Sequence, residues 1–125
     1  MKVTGMFPGI VCKNDQDVLD FAKDYLGFDI AHQMHAIISD NEEDQIYVLK
    51  NESDVRFDVI KFDVEKPFYS TCMNVDDFDE ANRLLEERGW HIVDGPVTTN
   101  NAKKALLNSK DGLSLLLIQH YKKIY

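Results

Sequence analysis

The sequence predicts an α+β fold made of two tandem β-α-β-β-β units. Three observations carry that expectation. The phrase "PGIVCKNDQDVLDFAKDYLGF" (8–28) has the same parts in the same order as "YSTCMNVDDFDEANRLLEERGW" (69–90): apolar strand, acidic turn, amphipathic helix, Gly-aromatic stop. Gly27-Phe28 returns as Gly89-Trp90, 62 residues further on, while the helix stripes align best at a shift of 63. Each phrase is followed by three segments of strand character. A repeated unit of this size cannot bury its sheet alone, so the two are expected to form a shared curved sheet around a cleft, with helices on the outer face. At 125 residues the chain is expected to be a single domain, with units of about 1–65 and 66–125.

The elements follow in order. "VTGMFPGIVCK" (3–13) is strand-like, with Gly5 and Pro8 suggesting a bend or an edge. Asn14 and Asp15 cap a helix whose stripe is Val18, Leu19, Ala22, Tyr25 and Leu26, and Gly27 ends it. Strands are expected over 29–39, 45–50 and 55–63, with the acidic turn "DNEED" (40–44) between the first two. Pro67 marks the seam. In the second unit a strand over 69–75 precedes a helix opened by Asp76 and Asp77, with stripe Phe78, Ala81, Leu84 and Leu85 and its end at Gly89. "WHIVDG" closed by Pro96, "AKKALLNS" and "LSLLLIQHY" after the turn "KDG" complete the set.

Composition narrows the function. The net charge is -8 and the basic residues are scattered, so no basic stripe is offered to nucleic acid. The longest apolar run, "LSLLLI" (113–118), is far shorter than the roughly 20 residues of a membrane span. With one lysine and no apolar core in the first nine residues, no secretory signal is read, and the cytoplasm is the expected compartment. Cys12 and Cys72 lack metal or redox spacing and read as buried thiols. His32 and His35 are three apart on a strand and so point to opposite faces, while His91 and His120 have no carboxylate neighbour in sequence. "DNEED" lacks the Gly and late Glu of a calcium loop.

Strand periodicity lists a face for the cleft: Phe7, Gly9 and Val11; Asp58 and Ile60; Ser70, Cys72 and Asn74; Ser114, Leu116 and Ile118. This lining suits either a small-molecule pocket or a packed interior. Asp58 could act as a base there, or be paired with Arg56 or Lys61.

The duplicated unit, with "MNVDDFDEANRLLEERGW", "IVDGP" and "KDGLSLLLIQH", resembles the glyoxalase/bleomycin-resistance/extradiol-dioxygenase superfamily, the vicinal oxygen chelate fold. That resemblance implies a divalent metal held by a His on the first strand and a Glu on the last strand of each unit. Carried over, the four positions are Phe7, Asp58, Ser70 and Leu116, of which Asp58 alone has a ligating group. The expected reading is therefore a member with no metal and no cofactor. It would bind a small molecule in the cleft for sequestration or sensing, without catalytic residues. Candidate ligand-binding residues are Phe7, Gly9, Val11, Tyr47, Asp58, Ser70, Cys72, Asn74, Trp90, Ser114 and Leu116. The acidic balance suits a cationic or aromatic ligand, with Trp90, Phe7 or Tyr47 as stacking surface, and the resemblance implies a homodimer. The alternative is a metal-dependent lyase, isomerase or dioxygenase with a rebuilt site around Asp58, His32 or His91.

Overall fold

The structure is a computed structural model that describes residues 2–35, 45–100 and 102–121, with Met34 and His35 described by backbone alone. The elements are β1 (Val3–Cys12), α1 (Asp15–Leu26), β2 (Asp29–His35), β3 (Gln45–Lys50) and β4 (Arg56–Lys61), then β5 (Phe68–Val75), α2 (Phe78–Glu87), β6 (His91–Thr98), β7 (Ala102–Asn108) and β8 (Ser114–His120). The class is α+β, and strand, helix and three strands occur twice in order. The acidic turn at 40–44 and the far end of the strand expected over 29–39 lie outside the described residues.

The chain forms two compact units, Phe7–Tyr69 and the combination of Met1–Met6 with Ser70–Tyr125. In the first, the hydrogen-bonded order is β2-β3-β4-β1, with β1 and β4 parallel and the other pairs antiparallel. In the second it is β5-β8-β7-β6, with β5 and β8 parallel. The leading residues of β1 group with the second unit, where Lys2 N–H donates to Asp76 Oδ1 at 2.6 Å and Asp76 N–H to Lys2 O at 3.0 Å.

Local chemistry explains the helix ends. Gly27 closes α1 at φ 73°, and Phe28 N–H reaches back to Ala22 O at 3.0 Å, a left-handed stop that glycine adopts freely. Asn14 stands at the other end, but its amide donates to the Asp17 side chain at 2.9 Å and leaves the backbone uncapped. At α2, Asp77 Oδ1 accepts Glu80 N–H at 3.1 Å.

Each helix covers one face of its own unit. Leu19 and Ala22 of α1 pack on Cys12, Leu49 and Val59, with Tyr47, Phe57 and Phe28 around them. Phe28 meets Phe57 edge-on at 4.8 Å. Phe78 and Ala81 of α2 pack on Met73, Val75, Ala105, Leu107, Leu115 and Leu117, with Leu85, Trp90 and Ile92 at the margin. The stripe expected for α1 runs too far: Tyr25 is exposed and stacks on Phe21 at 5.4 Å. β6 also continues past Gly95-Pro96 instead of ending there. It lies at the end of the strand order, and its register shifts between Asp94 and Val97, so a residue without an N–H is tolerated.

Candidate functional site

The ladders fix which side chains share a face. In the first unit Gly9 pairs with Asp58 and Val11 with Ile60, while Val48 and Ile46 pair with the same two residues from β3. Directly paired residues project to one side of a sheet. Phe7, two residues before Gly9, and Arg56, two before Asp58, therefore belong to this face, opposite α1. In the second unit Cys72 pairs with Leu116 and Asn74 with Ile118. Leu106 and Lys104 of β7 extend those rows. The pairs Gly9–Asp58 and Cys72–Leu116 are repeat equivalents, so Phe7 corresponds to Ser70 and Asp58 to Leu116, as the sequence alignment placed them.

Nine of the eleven candidate residues thus lie on the faces opposite the helices: Phe7, Gly9, Val11 and Asp58 in the first unit, and Ser70, Cys72, Asn74, Ser114 and Leu116 in the second. Tyr47 and Trp90 do not. Tyr47 pairs with Val59 and packs against the α1 cluster, and its Oη donates to Asp15 Oδ2 at 2.7 Å. Burial and the Asp15 carboxylate push its phenol up to about 12. Burial, and then the same carboxylate, also raise the Cys12 thiol. Trp90 packs against the α2 cluster. Alternation assigned the β1, β4 and β5 positions and the aligned Leu116 those of β8, but Tyr47 and Trp90 were chosen for their rings, which each unit uses to seal its helix.

At the heart of the first unit is an ion pair. Arg56 Nε lies 3.0 Å from Asp58 Oδ1, and Nη2 lies 3.1 Å from Oδ2, a bidentate fork with side chains only 6% and 3% exposed. The Arg56 guanidinium carbon sits 3.5 Å from the centroid of the Phe7 ring. The candidate carboxylate is thus engaged at both oxygens by a cation that also lies over an aromatic ring. Arg56 is the residue that places Asp58 in the interior, since an unpaired buried carboxylate would carry a large desolvation cost.

The second unit has no carboxylate at the equivalent place. Leu116 is fully buried, and the Ser114 hydroxyl donates to Ser70 Oγ at 3.1 Å. Along the same face lie Asn74, 9% exposed, and Lys104, 5% exposed. Asn74 Oδ1 is buried with no hydrogen-bond partner, and burial lowers the Lys104 ammonium from its ordinary value. Lys104 was not among the sequence candidates. In "AKKALLNS" two adjacent lysines and three adjacent apolar residues hide the alternation that would have assigned it.

A divalent metal does not fit the residues present. Phe7 and Leu116 have no donor atom, Ser70 offers a hydroxyl already paired with Ser114, and Asp58 is held by a cation that would repel the metal. Among the described residues no group of three or more His, Cys, Asp or Glu side chains could hold a metal ion. His32 is half-buried on β2, and the side chain of His35 lies outside the described residues.

No family model and no curated protein matches the sequence. Solved structures match its fold. A glyoxalase/bleomycin resistance protein/dioxygenase superfamily member from Vibrio splendidus 12B01 is 15% identical at TM-score 0.60, covering 94% of this chain and 99% of its own. Methylmalonyl-CoA epimerase from Mycobacterium tuberculosis is 20% identical at TM-score 0.65, over 98% and 91%. A variant of the Streptomyces coelicolor epimerase, solved with 2-nitronate-propionyl-CoA, is 16% identical at 0.66, over 97% and 100%. The chain has the vicinal oxygen chelate fold, and at these identities the likeness is of fold alone.

Proposed function

We propose that this protein binds a small molecule without a metal, for sequestration or sensing, and that it is not an enzyme of the metal-dependent kind its fold commonly carries. The observation that supports this best is the Arg56–Asp58 pair under Phe7. One potential ligand group is neutralised by an internal cation, and the other three positions offer a phenyl ring, a hydroxyl and an isobutyl group. A Lewis-acid mechanism would find no adequate donor set at these four positions.

Binding is supported by the polar groups on the faces opposite the helices. Interiors bury few polar side chains, and those they keep are hydrogen-bonded or functional. Here Ser70, Asn74 and Lys104 stand among Cys72, Leu106, Leu116 and Ile118, a mostly apolar surface with a few polar points, as ligand sites are built. The homodimer belongs to the same proposal and rests on the resemblance. Ligand-observed NMR on the purified chain, with a library of small cations, carboxylates and aromatics, tests the reading. The expected result is saturable binding that a chelator leaves unchanged. Binding or turnover that a chelator abolishes would replace it with the enzyme reading.

A further inference from the structure

We infer that the outer edge of α1 docks a basic segment of a partner protein, which lays arginine side chains over the Phe21–Tyr25 stack and against the aspartates beside it. The helix covers the opposite face of its sheet from the candidate site, so this inference is independent of the small-molecule reading. The two rings stack at 5.4 Å with an interplanar angle of 29°, and they stand 54% and 78% exposed. Val18, three residues before Phe21, is half-buried against the α1 cluster, so the aromatic ridge rises from the core. Asp17 and Asp24 are the helical neighbours of Phe21 at i−4 and i+3, and Asp20 is the neighbour of Asp24. All three aspartates are exposed. Lys23, the one lysine of the helix, is two residues from each ring and so projects away from both.

Helix stability does not explain these residues. Phenylalanine, tyrosine and aspartate rank below alanine, glutamate and lysine as helix formers. The second helix shows the ordinary solution: the exposed positions of α2 carry Asp79, Arg83, Glu86 and Glu87, with Arg83 Nη1 paired to Glu87 Oε1 at 3.1 Å, and no aromatic residue. Exposed aromatic side chains offer much area with few rotatable bonds, which is why they anchor interfaces. Charge then selects the occupant. A second copy of the chain would set the three aspartates against themselves, and an anionic lipid surface or a nucleic acid would be repelled. A neutral apolar segment would strip water from the carboxylates and pair with none of them. Arginine meets both features, because its planar guanidinium stacks on a ring while its N–H groups donate to a carboxylate. The interior of the same unit already uses this combination, with Arg56 over the Phe7 ring and forked onto Asp58. The ridge is small beside the roughly 800 Å² per partner of a stable complex, so the association is transient.

The test titrates four synthetic amphipathic peptides into the full chain and follows them by two-dimensional amide NMR. One carries arginines flanking leucines; in the others the arginines are lysine, neutral citrulline or glutamate. Expected is saturable binding of the arginine peptide with shifts confined to α1, about threefold weaker binding of the lysine peptide, and none of the citrulline or glutamate peptides. Phe21→Ala with Tyr25→Ala should weaken the arginine peptide by about tenfold or more. Asp24→Asn should weaken it less and reduce its salt dependence. Both rings are exposed, so the thermal midpoint of the double variant should stay close to that of the unsubstituted chain. No saturable binding of the arginine peptide overturns the inference. Binding that is equal for arginine and lysine and survives loss of both rings overturns it as well, since attraction to net charge alone would then suffice. Equal binding of the citrulline peptide would assign the ridge to an apolar partner instead. Self-association of the chain that Phe21→Ala with Tyr25→Ala abolishes would assign it to a second copy; either result overturns the inference.

Discussion

Asp58 shows how one neighbour changes what a residue can do. As a lone carboxylate on an apolar face it would be a candidate base or ligand; with Arg56 forked onto both oxygens it is half of a buried ion pair. Removing one partner strands the other charge, which typically costs about 3–5 kcal/mol, whereas replacing both with apolar groups is often neutral. Asp58→Ala should therefore lower urea-unfolding stability by about that amount, and Arg56→Met with Asp58→Leu should recover most of it. Equal losses in the single and double variants would contradict the pairing. Tyr47 gives a pH signature. Its folded-state phenol ionises near 12 against an ordinary value near 10. Between those limits the unfolded chain has released a proton that the folded chain keeps, so stability is intact below about pH 10 and falls as pH rises toward 12. Unfolding midpoints at pH 9 and pH 11 should differ less in Tyr47→Phe than in the unsubstituted chain.

The elements were the most legible part of the sequence. Period two assigned the faces of β1, β4 and β5 in agreement with the ladders, whereas β8, apolar on both faces over 115–118, took its face from the aligned position of Leu116. Repeat spacing then transferred the assignment between units, so Phe7 and Ser70 could be matched without a structure. Alternation failed where both faces are apolar, as in "AKKALLNS", and Lys104 went unseen. It failed for Tyr25 because a helix stripe records which residues could be inside, not how far the sheet extends beneath them. Pro96 misled because a proline reads as a strand end, yet at an edge ladder with a shifted register it costs no hydrogen bond. At the same turn Gly95 has φ 91°, and an added Cβ would lie 3.1 Å from Lys104 O and 3.3 Å from Val97 N, both backbone atoms. Gly27 has φ 73° with nothing within 4 Å. Gly27→Ala should cost about 1–2 kcal/mol from conformation alone. Gly95→Ala should cost clearly more, and equal costs in denaturant titrations would show that the turn relaxes around the methyl.

For the molecule as a whole, duplication explains both the fold and the equivalence of the four positions compared between the units. A repeated unit supplies four equivalent positions, two on first strands and two on last strands, and a metal needs donors at most of them. Here the copies have diverged so that the first keeps a carboxylate neutralised from within and the second keeps none. The poor donor set was readable from Phe7, Ser70 and Leu116 alone; the sequence offered Arg56 and Lys61 alike as partners for Asp58, and the structure selects Arg56, two residues away on the same face of the strand. Net charge was a weaker guide. The value of -8 describes the chain as a whole, whereas the groups buried opposite the helices include Arg56 and Lys104. The central proposal, that Phe7, Asp58, Ser70 and Leu116 hold no metal, is tested most directly by equilibrium dialysis of the chelator-treated chain against nickel, manganese, zinc and ferrous ions, followed by elemental mass spectrometry. The account predicts background content for each ion and an unchanged thermal midpoint. One metal per chain, lost on Asp58→Asn, would contradict it.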